Sequence, residues 1–272
     1  MRIGLNFSPP HSSPSEWADF LVTHNFRSAS FPVDFHADVH TIDAYVKAAA
    51  EHDIVIAEVG VWNSPHHPDP AVAAQAYERL LEQFRLAEYV HARCCVNVSG
   101  AAGDVWFACY KENFSEDLYR KNVELIQKLC DTVNPQHTCF SLEPMQWMLP
   151  YSVQDYVRIL KDVDRPGFKA HMDICNLIST PWNYTHQETV IDEAFDALGD
   201  VIVSCHIKDL LQKPGLSVSI DEVPVGTGEM NLGYYLDRIS ALDDDMPVLI
   251  EHLPGVDDYL RARKVIKDKW GR

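Results

Sequence analysis

Short apolar, β-branched runs alternate along this chain with longer stretches whose apolar residues recur at helical spacing. That alternation predicts βα units around a parallel sheet. Eight runs read as strands: Arg2–Phe7, Phe26–Pro32, Ile54–Gly60, Arg93–Val98, Thr138–Glu143, Phe168–Ile174, Val201–Ile207 and Pro247–His252. The clearest helical pattern is Asp69–His91, where Ala71, Ala74, Leu80, Leu81, Phe84 and Ala87 fall on one face. Ser115–Val133 opens on a capping serine with Glu116 and Asp117 in its first turn, and stops short of Pro135. Pro14–His24, Thr41–Asp53, Ser152–Asp162, Gln187–Leu198, Leu232–Leu242 and Asp257–Lys269 complete the helices. Eight alternations without a Gly/Ser linker predict one closed (β/α)8 TIM barrel, residues 1–272 forming a single domain, in keeping with the roughly 250 residues this fold needs. An open doubly wound sheet would want a glycine-rich phosphate turn after its first strand, and NFSPPHS supplies none.

In such a barrel every βα loop emerges on one face. Ser99–Phe114, Ile174–His186 and Asp209–Asn231 are the long ones, all read as loops. Trp106, Phe107, Tyr110, Trp182 and Tyr184 are expected to wall a pocket there, Trp106 against the substrate. The only glycine cluster, GTGEMN at 226–231, is read as closing the seventh loop.

Charge narrows the partners. Forty acidic residues against 23 basic ones give a net charge of −17, which disfavours nucleic acid and anionic membrane surfaces. No uncharged apolar run reaches the roughly 18 residues of a membrane span. The N-terminal MRIGLNFSPP enters a strand directly, without the apolar segment of a signal peptide. The seven cysteines, an odd number without a CxxC pair, read as reduced thiols, so the expected location is the cytoplasm. A homo-oligomer is left open.

Four late strands end in a metal-capable residue: FSLEP gives Glu143, AHMDI gives Asp173, SCHIKD gives His206 and LIEHL gives Glu251. Strand ends converge at a barrel mouth, and three carboxylates meeting there would repel each other unless a divalent cation compensated them. One imidazole with three carboxylates is a mixed donor set that suits Mn²⁺ best, with Mg²⁺, Co²⁺ or Zn²⁺ as alternatives.

The succession LEP, MD, HIKD, PVGTGEMN and LIEH resembles the xylose-isomerase-like barrel superfamily, and within it the ketose 3-epimerases and the sugar phosphate isomerase/epimerase group. The resemblance implies that Glu143, Asp173, His206 and Glu251 hold one metal, with Glu143 and Glu251 as the acid/base pair. It implies an isomerase or epimerase of a keto-sugar or keto-polyol that abstracts the proton beside a carbonyl and passes through a metal-held enediolate. Two positions depart from the epimerase pattern. Asn176 stands where those enzymes carry a histidine, and Lys208 and Asp209 stand where an arginine is expected. Both touch substrate contacts more than the metal. Dehydratases and lyases of keto-sugars and keto-glycosides, which begin with the same abstraction, therefore form the alternative. An endonuclease IV-type repair enzyme shares the barrel but needs about nine ligands and a basic face. A binding-only barrel is disfavoured by the intact ligand set.

Strand alternation puts His171 on the inward face with Asp173 and Lys208 with His206, and the ends of the third and fourth strands place Glu58 and Asn97 toward the mouth. Glu58, Asn97, His171 and Lys208 are expected substrate contacts, alongside Asn176 and Trp106. His252, one residue past Glu251, is expected to face away. His66 and His67 fall in a turn and are read as a solvated loop. No Arg/Lys cluster marks a phosphate site, so the expected substrate is an unphosphorylated sugar.

Overall fold

The computed structural model describes all 272 residues. The strands are β1 (Arg2–Leu5), β2 (Ser28–Ser30), β3 (Val55–Gly60), β4 (Cys94–Asn97), β5 (Phe140–Leu142), β6 (Phe168–Met172), β7 (Ile202–Ile207), β8 (Asp209–Lys213), β9 (Ser219–Val223) and β10 (Pro247–Ile250). The helices are α1 (Pro14–Thr23), α2 (Val39–Glu51), α3 (Pro70–Tyr89), α4 (Glu116–Val133), α5 (Val153–Val163), α6 (Ile174–Leu177), α7 (Pro181–Thr185), α8 (Gln187–Leu198), α9 (Leu232–Ser240) and α10 (Val256–Trp270). Eight parallel strands close in the order β1-β10-β7-β6-β5-β4-β3-β2, the expected (β/α)8 barrel. Each strand is shorter than its apolar run, by one to four residues. No helix is long and apolar enough to cross a membrane.

Helix starts follow local chemistry. Ser13, Asp38, Asp69, Ser115 and Ser152 each accept a hydrogen bond from a backbone N–H of the first turn of α1 to α5 in order, and Pro14 and Pro70 occupy the first helical position. The main core, 64 buried residues, lies between strands and helices. The interior of the barrel is lined by smaller groups: Cys94, Val96 and Cys139 form a separate cluster beside the buried Ser28, Ser141 and Ser204. At Gly4 a Cβ would lie 2.1 Å from the Ser28 carbonyl oxygen, so the interior is closed there by backbone contact.

Two register shifts set the mouth. Between β2 and β3, Ala29 pairs with Ile56 but Ser30 pairs with Glu58, which turns Glu58 inward. Between β6 and β7, Ala170 pairs with Ile202 but His171 pairs with Ser204. Continued two residues, that register sets Asp173 beside His206; without the extra residue Asp173 would meet Cys205, on the other face.

The seventh loop is not irregular. Asp209–Lys213 and Ser219–Val223 form an antiparallel hairpin from Asp209↔Val223 to Lys213↔Ser219. The sixth loop holds two short helices, α6 and α7, which a search for long apolar periods passes over.

Candidate active site

Glu143, Asp173, His206 and Glu251 meet at the mouth, each with a ligand-capable atom within 4.8 Å of the others, and all four are buried. Glu143 follows β5, and its backbone N–H donates to the Asn97 carbonyl at 2.9 Å, fixing the height at which the strand leaves the sheet. Asp173 caps α6: its Oδ1 accepts from Cys175 N at 2.9 Å and Asn176 N at 3.3 Å, leaving Oδ2 turned to the cluster. Glu251 follows β10, with one oxygen accepting from Asn6 Nδ2 at 2.7 Å.

His206 faces two ways. Its Nε2 lies 3.1 Å from Glu58 Oε2, and its Nδ1 lies 3.1 Å from Glu251 Oε1 and 3.5 Å from Glu143 Oε1. A carboxylate at Nε2 keeps a proton there in either charge state and points Nδ1 at the acidic cluster, where it would give up its own proton to ligate a metal. Glu58 is held in turn by Ser30, whose Oγ donates to Oε1 at 2.7 Å. His206 Nδ1, Asp173 Oδ2 and Glu251 Oε1 are buried without a hydrogen-bond partner. Three orphaned acceptor atoms aimed at one point are the arrangement a divalent cation satisfies, so these residues fit such an ion.

Lys208 stands in the same place. Its Nζ is 2.6 Å from Asp173 Oδ2 and 3.4 Å from Glu143 Oε1, and it also pairs with Glu251 Oε1. Asp173 Oδ2 and Glu251 Oε1 are within ion-pair reach of this ammonium yet receive no well-directed hydrogen bond, because the three contacts pull it between them.

Protonation divides the three carboxylates. Burial works against charge at Glu143, but Lys208 and His206 outweigh it and hold the carboxyl well below its usual range. At Glu251 burial is likewise overcome, by His206 and then Lys208, and the carboxyl is brought down to about 2. Asp173 goes the other way: burial, joined by the charges of Glu143 and Glu251, outweighs Lys208 and pushes it up to about 7. His206 is lifted well above an ordinary imidazole, since Glu251 and Glu58 overcome its burial. His171, fully buried and next to His206, is pushed down to about 4, first by burial and then by its neighbour's charge.

Above the cluster opens a cavity of about 650 Å³. Glu143, Asn176, Lys208 and Glu251 form its polar floor, and Trp62, Trp106, Phe107, Met145 and Trp147 contribute apolar walls. Trp147 Nε1 donates to the Phe107 carbonyl at 2.6 Å, tying the fourth loop to the fifth. Asn176 Nδ2 donates to Glu143 Oε1 at 2.9 Å.

Of the expected substrate contacts, Asn176, Lys208 and Trp106 line this cavity. Glu58, Asn97 and His171 lie behind it. Glu58 is spent on His206 and Ser30, and Asn97 on the backbone of Asn63, accepting from its N–H at 3.1 Å and donating to its carbonyl at 3.2 Å. His171 packs edge-on to His206 at 4.1 Å, both its nitrogens unpartnered, with Nδ1 4.0 Å from Glu58. Of the expected wall, Trp106 and Phe107 reach the cavity, whereas Tyr110, Trp182 and Tyr184 do not. His252 does reach it: a φ of 56° breaks the strand alternation, and the ring meets Glu222 at 3.0 Å. His66 is not free in solvent but half-buried, its Nε2 3.0 Å from Asn122 Oδ1.

The sequence also hid supporting groups. Tyr156 of α5 donates to the Leu142 carbonyl at 2.5 Å and accepts from His171 N at 3.0 Å. Tyr235 of α9 reaches the carbonyls of Met172 and His206. These buried hydroxyls pin the strand ends that carry the cluster, and an i,i+3/i+4 pattern records them only as core. The glycine turn binds an anion of the protein's own. Asp209 accepts from the backbone of Leu210, Gly226, Gly228 and Met230 at 2.8–3.0 Å. A Cβ at Gly228 would sit 2.3 Å from Asp209 Oδ1, so glycine is required for that approach.

Comparison with known proteins agrees with this architecture. No curated protein matches the sequence. Among solved structures, a probable 3-DHS dehydratase of petrobactin synthesis from Bacillus anthracis superposes with a TM-score of 0.73 at 16% identity, covering 98% of this chain and 99% of that one. A D-allulose 3-epimerase from Methylomonas sp. gives 0.71 at 15%, covering 99% and 97%. A xylose isomerase-like protein from Mycobacterium smegmatis, in complex with magnesium, gives 0.69 at 14%, covering 98% and 95%. At such identities the likeness speaks to fold. The family model described as xylose isomerase-like TIM barrel matches residues 18–269, and the chain belongs to that family.

Proposed function

We propose that this protein is a divalent-metal-dependent isomerase or epimerase of an unphosphorylated keto-sugar or keto-polyol. The observation that carries the reading is the convergence of three unpartnered ligand atoms, on Asp173, His206 and Glu251, with Glu143 beside them, at the floor of a cavity with aromatic walls. Glu143, Asp173, His206 and Glu251 would hold the ion, and oxygen donors with one imidazole favour Mn²⁺. The ion supplies Lewis acidity, which makes the hydrogen on the carbon beside a carbonyl easier to remove.

The chain's own groups do the rest. Glu143 and Glu251 come from β5 and β10, and both border the cavity, so a substrate lying between them presents a carbon to each. One carboxylate removes the proton and the other returns it from the opposite face, which inverts the centre. Return to the neighbouring carbon exchanges aldose and ketose instead. Asn176 orients Glu143 and Asn6 orients Glu251. Indole faces suit the C–H faces of a sugar, and they screen the reacting carbon from water. No arginine lines the cavity, and the glycine turn is filled by Asp209, so a phosphate finds no ready seat. Seven unpaired cysteines, six of them buried, support a reducing, cytoplasmic setting.

The test is solvent-deuterium incorporation. Purified protein with Mn²⁺ in D₂O is offered ketoses, inososes and 3-keto-glycosides, and NMR follows deuterium at the carbon beside the carbonyl. Exchange with inversion or carbonyl migration is expected. Exchange accompanied by loss of water or of an aglycone would assign a dehydratase or lyase. No exchange from any candidate, with Mn²⁺ bound, would remove the enolising mechanism.

A further inference from the structure

We infer that Lys208 is the cation that holds the metal seat until a metal takes it. On this account the ammonium and a divalent ion compete for Glu143, Asp173 and Glu251, and the ion drives the ammonium into the cavity, where it serves a substrate oxygen. The inference rests on the metal reading proposed above and concerns how this chain's own lysine responds to it.

The geometry carries the first half. Lys208 Nζ touches three of the four ligand side chains at once, 2.6 Å from Asp173 Oδ2, 3.4 Å from Glu143 Oε1 and in contact with Glu251 Oε1. Two of those oxygens are the orphaned atoms that mark the metal seat. A divalent ion bonded to oxygen at about 2.0–2.2 Å would occupy the point that the ammonium now shares with them. One centre cannot hold both, and like charges at that separation repel.

Charge and stem length carry the second half. Carboxylates gathered in a buried site are costly without a counter-cation, and Lys208, only 3% exposed, is in place beside His206 to provide one. A lysine suits this better than an arginine, because its charge is compact, its three donors match three carboxylates, and its four-carbon stem can swing. The way out is open: Lys208 already borders the cavity, and no other lysine or arginine does. Displaced, it would be the one lysine or arginine within reach of a substrate oxygen, adding to the charge of the ion.

The decisive variant is Lys208→Met in the full chain, which keeps the stem and removes the charge. Titration calorimetry with MnCl₂ alone, after chelator treatment, should show Mn²⁺ binding about tenfold tighter or more, the scale of a lost buried competitor. The chelator-treated variant should melt below the wild type, and turnover at saturating Mn²⁺ should fall. Tighter metal with slower turnover is a split that a merely structural lysine would not give. Equal Mn²⁺ affinity in wild type and variant would overturn the inference and leave the proposed function standing. Absence of Mn²⁺ binding in both would remove the metal reading and this inference with it. Should the variant fail to fold, a crystal structure of the wild type grown with Mn²⁺ decides: Nζ is expected to have left Asp173 and Glu251 and to face the cavity. An ammonium still seated among the three carboxylates beside a bound Mn²⁺ would refute the exchange.

Discussion

The first four strands of the barrel lead into Asn6, Ser30, Glu58 and Asn97, and the last four into Glu143, Asp173, His206 and Glu251. Both sets are polar, both sit at the mouth, and both are largely buried. In the early set each polar side chain has a protein partner: Asn6 holds Glu251, Ser30 holds Glu58, Glu58 holds His206 and Asn97 holds the backbone of Asn63. In the late set Asp173, His206 and Glu251 each keep one buried atom without a hydrogen bond. A buried polar atom left unpaired costs about 1–3 kcal/mol, so the late half is the strained half, and ligand binding can recover that cost. The early half is the framework that aims it.

The strongest way to break this comparison is to neutralise a late carboxylate. Glu143→Gln or Glu251→Gln should lower turnover by about 10²- to 10⁴-fold, the usual worth of a positioned acid or base. The melting temperature should change little by comparison, since each amide can still fill the space. Turnover retained in both variants would strip the late half of its catalytic role.

Glu58→Gln tests the boundary between the halves. Glu58 reaches the metal seat only through the ring of His206, 3.1 Å away. Loss of a carboxylate that orients a ligating histidine typically weakens metal binding 10- to 100-fold, and that loss is expected here, with turnover largely restored at saturating Mn²⁺. A raised KM with unchanged Mn²⁺ affinity would instead make Glu58 a substrate contact and move it to the reactive half.

That boundary is also where the sequence stops being legible. The eight strands could be read because parallel barrel strands are buried on both faces and appear as unbroken apolar runs, and the cluster of Glu143, Asp173, His206 and Glu251 because a polar residue ending such a run needs a partner. Alternation puts His171 on the inward face, but Glu58 turns inward only through the register shift beside Ser30, and Asn97 falls on the side opposite Cys94 and Val96. Alternation carries no information on depth, and a side chain facing inward can meet the substrate, a ligand or another loop. At His252 alternation itself failed, because one residue with a φ of 56° turns the chain over. The β8–β9 hairpin was missed for a related reason. Its strands are half-exposed from Leu211 onward, so QKPGLSVSIDE looks like a polar loop although ten residues pair. Tyr156 and Tyr235 sit at apolar positions of α5 and α9, and nothing local shows that their hydroxyls reach strand carbonyls.

Those tyrosines give a smaller effect within the framework. Tyr156→Phe leaves the Leu142 carbonyl and the His171 N–H without their bonds in a fully buried place, and should cost about 1–3 kcal/mol in urea unfolding. Mn²⁺ affinity should fall only as far as the ends of β5 and β6 loosen. A loss of metal binding as large as that of Glu58→Gln would show that the late strands are positioned from the helical layer rather than from the early half of the barrel.

The smallest effect belongs to the rim. Trp106 lines the cavity but is 36% exposed and packs edge-on against Phe107, so it can pass a substrate's apolar face without fixing its orientation. Trp106→Ala should leave Mn²⁺ affinity and stability unchanged and raise KM by roughly tenfold at most, in line with about 0.5–1.5 kcal/mol for an aromatic contact. Trp147, whose indole N–H ties the fifth loop to the Phe107 carbonyl, provides the contrast. Trp147→Phe keeps an apolar wall but releases that tie. If its KM effect exceeds that of Trp106→Ala, recognition at the mouth depends on how firmly the fourth and fifth loops are held together. The reactive half would then have a framework of its own, built from loops where the early half uses strand ends.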